Sequence, residues 1–244
     1  MATTVAVIGA RGRMGRTVCE AVAAAPDLEL GPQVDLGDDV DAVAGADVGV
    51  VFSVPDVVLE HTLACIRNGV HTVVGTTGWD EAKLDAVRRA LAEAPGVGVL
   101  VAPNFALGAV LLMKFAAMAA PHFESVEVIE LHHPDKVDAP SGTARHTAEG
   151  IAAARERAGC PPIPDATTMA LDGARGAQVA GVRVHAVRLR GLVAHEEVLL
   201  GGPGEQLTLR HDSFDRISFM AGVLLGVRTV ASRPGLTVGL DAYL

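Results

Sequence analysis

The chain has 244 residues, half of them hydrophobic, yet only eight aromatics (Phe 6, Trp 1, Tyr 1), so Ala, Val and Leu must fill the interior. That length allows two domains or one large one, and small aliphatic side chains suit helix-on-sheet packing. A formal charge of −9 argues against a broad nucleic-acid or anionic-membrane surface, since both need positive potential. An anionic ligand would need a local basic pocket. No leader-like stretch opens the chain, and no apolar run reaches the roughly 18 residues of a membrane span. Cys19, Cys65 and Cys160 are odd in number and far apart, without the spacing of a metal or redox site. The expectation is a reduced, cytoplasmic protein with no metal, nucleic-acid or membrane partner.

In chain order, Thr3 to Ile8 is a β-branched run that stops at Gly9. Gly9-Ala10-Arg11-Gly12-Arg13-Met14-Gly15 follows, then a helical pattern over Arg16 to Ala25. This is G-x-x-G-x-x-G in a strand–turn–helix context, a variant of the dinucleotide fingerprint. A second strand, Leu28 to Val34, ends at Asp35, where an acid would accept hydrogen bonds from ribose hydroxyls. Asp35 points to a free 2′-hydroxyl and NADH. Arg11 and Arg13 point to a 2′-phosphate and NADPH, so use of both is expected.

Strand–helix alternation continues. Strands are expected over Gly49 to Ser53, Val70 to Val74 and Val97 to Val101, with helices from Pro55 to Asn68 and from an N-cap at Asp80 to Ala94. Parallel crossovers bring the C-terminal strand ends to one edge, gathering Gly9, Asp35, Ser53, Thr76 and Asn104. The composition changes after Asn104: a helix over Ala109 to Ala120, a strand over Val126 to Leu131, a helix over Thr143 to Ala158, then an extended loop to Gly181. Three strand-like runs without helices follow, Val182–Leu189, Leu192–Leu200 and Gln206–His211, the last with Leu207 and Leu209 on a buried face. They predict a separate mixed or antiparallel sheet. A helical pattern runs from Ser213 to Ser232.

At the end of the strand over Val126 to Leu131 the chain runs through Glu130-Leu131-His132-His133-Pro134-Asp135-Lys136-Val137-Asp138-Ala139-Pro140-Ser141-Gly142-Thr143-Ala144. Imidazole exchanges a proton near neutral pH, lysine offers a positive charge or a second acid, and Ser-Gly-Thr after proline has the composition of an anion-binding helix start. The combination suits a carboxylate-bearing substrate. A nicotinamide enzyme acting on a linear aldehyde or amino acid would share the first unit but need a well-placed nucleophilic Cys. A non-enzymatic NAD sensor would have no use for the His-Lys pair.

The Gly9–Gly15 turn, Val74-Gly75-Thr76-Thr77-Gly78, Ala102-Pro103-Asn104-Phe105 and the Glu130–Ala144 stretch stand in the order found in dihydrodipicolinate reductases. These enzymes are also called 4-hydroxy-tetrahydrodipicolinate reductases, of the bacterial lysine and diaminopimelate pathway. The likeness covers essentially the whole chain, including Val184–Arg188 and His211-Asp212-Ser213, and is greatest to the actinobacterial branch. It implies an α/β protein: a Rossmann-type dinucleotide-binding domain (1–105 and 214–244), plus an α+β substrate-binding and tetramerisation domain (106–213) with an open mixed sheet. It also implies that Gly9, Ala10, Arg11, Gly12, Arg13, Met14, Asp35, Phe52, Gly75, Thr76, Thr77, Ala102, Pro103, Asn104 and Phe105 hold NADH or NADPH. His132 and Lys136 match the proton-donating pair. Thr77, His133, Lys136, Ser141, Gly142 and Thr143 match the contacts to a small dicarboxylate substrate, and a homotetramer is implied. One departure stands out: the family commonly has Asp-Phe-Thr where this chain has Val51-Phe52-Ser53.

Overall fold

The computed structural model describes residues 2–244. In chain order its elements are β1 (Thr3–Ile8), α1 (Arg13–Ala24), β2 (Leu28–Val34), β3 (Val48–Val51), α2 (Val58–Arg67), β4 (His71–Val74), α3 (Glu81–Glu93), β5 (Gly98–Val101), α4 (Leu107–Ala119), β6 (Ser125–His132), α5 (Gly142–Arg157), β7 (Ala177–Val179), β8 (Val182–Arg188), β9 (Ala194–Gly202), β10 (Glu205–Ser213), α6 (Met220–Thr229) and β11 (Gly235–Val238), joined by short 3-10 turns. The chain divides into two compact units. The first comprises the chain up to Leu107 together with Arg216–Leu244, and the second is Gly108–Asp215.

The first unit is built on a six-stranded parallel sheet in the order β11-β5-β4-β3-β1-β2. Val5, Ala6 and Val7 of β1, all four residues of β3 and the last three of β4 are buried, as strands covered on both faces must be. Val51 is among them. The position where the family commonly carries an acid is here closed core. Strand order reverses beside β1, which has β2 on one side and β3 on the other. The crevice beyond the C-terminal ends of β1 and β3 is therefore the place where an open α/β sheet takes a ligand.

The second unit has a five-stranded mixed sheet, β10-β9-β6-β8-β7, in which only β6 and β8 run parallel. Val126 and Val128 of β6, Val182 and Val184 of β8 and Val198 and Leu200 of β9 pack with Ala144, Ala148 and Ile151 of α5 and Leu112 and Ala116 of α4. The period-two alternation is what selects these residues. On the opposite face Ile129, Leu131, Val187 and Leu199 stay half-exposed.

Several boundaries differ from the sequence expectation. Helix α1 begins at Arg13, three residues early, because the glycine turn itself runs into the helix with Gly12 as N-cap. Helix α2 starts at Val58 rather than Pro55; residues 55–57 form a turn, held in part by Lys83 Nζ donating to the Pro55 carbonyl (3.2 Å). Leu207 and Leu209 share the core-facing side of the sheet, where Leu209 packs on the core, but on the edge strand β10 the Leu207 side chain stays exposed. The expected helix over 213–232 is shorter: Ser213 ends β10, a 3-10 turn covers Arg216–Phe219, and α6 runs only from Met220 to Thr229. Strands β7 and β11 were not expected at all. They span three and four residues, too short to carry a periodic signal.

Candidate active site

In the first unit, Gly9 turns the chain out of β1 with φ +83°. A Cβ there would run into the Phe52 carbonyl, and a Cβ on Gly15 into the Gly9 carbonyl. The turn is thus open only to glycine, and α1 packs close against β1. Gly12 provides no side-chain cap, so the first-turn N–H groups of α1 are left for an anion. Gly75 has the Phe52 ring where a Cβ would stand, and Phe52 meets Phe105 with ring centroids 6.1 Å apart. The loop after β4 is fixed by Trp79 Nε1 donating to the Thr76 carbonyl (3.0 Å) and Lys83 Nζ donating to the Gly78 carbonyl (2.7 Å).

These residues enclose a cavity of about 810 Å³. Of the residues expected to hold a dinucleotide, Gly9, Gly12, Arg13, Met14, Asp35, Phe52, Gly75, Thr76, Thr77, Pro103, Asn104 and Phe105 line it. Ala10, Arg11 and Ala102 do not; Ala10 and Ala102 are buried and shape the turns from behind. The Asp35 carboxylate accepts the Leu36 N–H (2.8 Å) and the Arg11 N–H (2.6 Å), and these bonds hold it below the usual carboxylate range. Two lining residues carry buried polar atoms without a partner, Ser53 Oγ and His61 Nδ1. Burial pushes the His61 imidazole down. A glycine cradle, an uncapped helix start and the Asp35 carboxylate at one cavity fit a dinucleotide. His61 lay outside the sequence reading, because a histidine on an amphipathic helix gives no signal of its own.

In the second unit, β6 delivers Glu130 and His132 to the α5-facing side of the sheet. Glu130 is fully buried, and a buried carboxylate persists only with partners. It has three, making four hydrogen bonds: His132 Nδ1 donates to Oε2 (2.5 Å), Arg188 donates to both oxygens (2.8 Å each), and the Ser141 N–H donates to Oε1 (3.0 Å). Burial alone would raise its pKa, but the hydrogen bonds from His132 and Arg188 outweigh it and hold the carboxyl at about 2. Arg188 Nη2 also donates to the Asp138 carbonyl (2.6 Å), tying the loop after β6 to the same carboxylate. The Lys136 ammonium pairs with Asp138 Oδ1 at 2.7 Å, which lowers the Asp138 carboxyl. The peptide bond between Ala139 and Pro140 is cis.

Ser141 is the N-cap of α5, its Oγ accepting the Ala144 N–H (3.2 Å). It is 2 % exposed, with its N–H spent on Glu130. Of this expected substrate contact, the backbone N–H goes to Glu130 and the hydroxyl oxygen accepts the Ala144 N–H, which leaves the O–H to donate. Gly142 and His133 are exposed, and Thr143 and Lys136 half-buried. Arg188 and Glu130 lie 58 residues apart, so their pairing had no local signature. Beside Glu130 on β9 sits its cross-strand neighbour Glu196, 5 % exposed, whose Oε1 has no partner. Burial pushes its carboxyl up to about 7, with the Glu130 charge adding and a Thr147 hydrogen bond opposing.

A parallel sheet with a glycine turn, an acid after β2 and a cavity at the switch point defines a Rossmann-type NAD(P)-binding oxidoreductase with a separate α+β domain. Family models give the particular: that of the dihydrodipicolinate reductase N-terminus matches residues 3–105, and that of the C-terminus matches 108–244. The chain belongs to the dihydrodipicolinate reductase family. It is 64 % identical over 245 aligned residues to the 4-hydroxy-tetrahydrodipicolinate reductase of Beutenbergia cavernae, covering 100 % of this chain and 99 % of the relative. It is 61 % identical to that of Nocardia farcinica, again over 100 % and 99 %. Among solved structures it resembles the dipicolinate-bound dihydrodipicolinate reductase of Paenisporosarcina sp. TG-14, with TM-score 0.89, 38 % identity and full coverage of both chains.

Proposed function

We propose that this chain reduces 4-hydroxy-tetrahydrodipicolinate to tetrahydrodipicolinate with NADH or NADPH, in lysine and diaminopimelate biosynthesis. The observation that carries this reading is the end-to-end likeness to reductases of that name, 64 % identical to one of them. Bound NADH or NADPH supplies a hydride to the conjugated imine left after the substrate loses water. Gly9, Gly12, Arg13, Met14, Asp35, Gly75, Thr76, Thr77 and Pro103 through Phe105 would hold that cofactor in the first domain (1–105 and 214–244).

The remaining chemistry belongs to the second domain (106–213). Reduction leaves an enamine that needs a proton. With His132 Nδ1 engaged by Glu130, Nε2 is the nitrogen able to deliver one. Glu130 neutralises the charge on His132 when it is protonated and fixes the ring, as a carboxylate does for a catalytic imidazole elsewhere. Lys136 holds a substrate carboxylate and stabilises charge, exchanging its contact with Asp138 for the ligand. Gly142 and Thr143 at the start of α5, with His133, complete the contacts to the two carboxylates. Ser141 supports them as the cap that keeps this helix start in place.

Lys136→Ala is expected to lower kcat on the order of a hundredfold while the Kd for NADH stays within about twofold. Unaltered steady-state kinetics would refute the assignment. The half-exposed apolar row Ile129, Leu131, Val187 and Leu199 on the open sheet face supports a homotetramer assembled through that face. Multi-angle light scattering is expected to give four times the 25.1 kDa chain mass; a monomer would overturn that part of the proposal. A cytoplasmic setting follows from the pathway.

A further inference from the structure

We infer that Asp38 is a specificity-determining residue of the dinucleotide cavity: it draws the Arg11 guanidinium to itself and so withholds it from a 2′-phosphate, favouring a free 2′-hydroxyl. The inference rests on the dinucleotide reading of that cavity. Arg11 stands in the glycine turn, where the sequence alone offers it to a phosphate. In the structure its Nη2 donates to Asp38 Oδ2 at 2.8 Å, and its Nε lies 3.9 Å from Asp35 Oδ2. The side chain does not line the cavity, whereas Asp35 and Asp38 both do.

Asp38 is built into this position. Its Oδ2 also accepts the Asp35 N–H (2.9 Å), and its own N–H donates to the Asp35 carbonyl (3.0 Å), closing a turn through Leu36 and Gly37. Gly37 adopts φ +90°, which lets the turn close. The neighbouring Asp39 is committed elsewhere, its carboxylate accepting the Asp41 N–H. The Arg11–Asp38 pair is exposed, at 63 % and 45 %, and a pair so solvated adds little to folding. Its consequence is for ligand charge. A phosphate monoester brings close to two negative charges. With Arg11 already held by Asp38, Arg13 is left to meet that charge from the cavity lining.

The test is a titration of the full chain with NADH and with NADPH, without substrate, following the fluorescence of the bound dinucleotide. Asp38→Asn keeps an oxygen for the Asp35 N–H but removes the charge and releases Arg11. The ratio Kd(NADPH)/Kd(NADH) is expected to fall roughly five- to tenfold. Arg11→Ala added to that variant is expected to return the ratio to within about twofold of the starting protein. Asp38→Ser, with a smaller acceptor, is expected to shift the ratio in the same direction and covers the case in which Asp38→Asn does not fold. A ratio unmoved by both Asp38 variants overturns the inference, and so does a gain that survives Arg11→Ala. If the unaltered chain binds neither dinucleotide, the failure belongs to the cavity's functional reading instead.

Discussion

Two glutamates on adjacent strands show how far surroundings govern a side chain. Glu130 and Glu196 are direct cross-strand neighbours, both buried. Glu130 has an imidazole, a guanidinium and a backbone N–H, and its carboxyl is held at about 2. Glu196 has only the opposing Thr147 hydrogen bond, and burial drives it to about 7. On the same sheet face its β10 neighbour is His211, which burial pushes down and which thus adds little countercharge near neutrality. An unfolded glutamate titrates near 4.3, so between there and about 7 the folded state keeps a proton that the unfolded state has lost. The stability associated with Glu196 is therefore complete at low pH and drains away as pH rises toward 7. Glu196→Gln cannot ionise, so relative to the parent it should gain on the order of 2 kcal/mol between pH 5 and pH 8, several degrees in Tm. Thermal unfolding at the two pH values measures this, and identical pH dependence in both proteins would contradict it.

At the level of the element, legibility followed the strength of the local constraint. The Gly9–Gly15 turn could be read directly because sterics leave no other residue at Gly9 or Gly15, and the Asp80 cap of α3 because its side chain accepts the Lys83 N–H three residues on. Buried strands rich in Val declared themselves. Strands β7 and β11 did not, because each exists only through its partner: β11 is stitched on by its parallel register with β5, opening at Gly235 and followed by Gly239, both at φ +94°. Helix α5 lies between these extremes. Its N-cap sits in a Pro-Ser-Gly-Thr run legible as a helix start, but the burial of Ser141 and its bond to Glu130 are long-range facts. Ser141→Ala removes the hydroxyl that accepts the Ala144 N–H and should cost about 1 kcal/mol in chemical denaturation. No loss of stability would show that the cap contributes nothing to the helix.

For the whole molecule, the chain leaves the first unit after Leu107 and returns to it from Arg216, where α6 and β11 complete the layer begun by β1–β5. The sequence foretold the order of the motifs, the fold class and the family. It could not foretell the Arg188 clamp on Glu130 or the Arg11–Asp38 pair, since each joins residues whose proximity depends on the finished sheets. The most direct test of the proposed reaction is oxidation of NADH and NADPH by the purified chain, with substrate formed in situ from pyruvate and aspartate semialdehyde. Oxidation that starts only when both precursors are present, and that falls on the order of a hundredfold in Lys136→Ala, is the expected result. No substrate-dependent oxidation of either dinucleotide by the unaltered chain would contradict it.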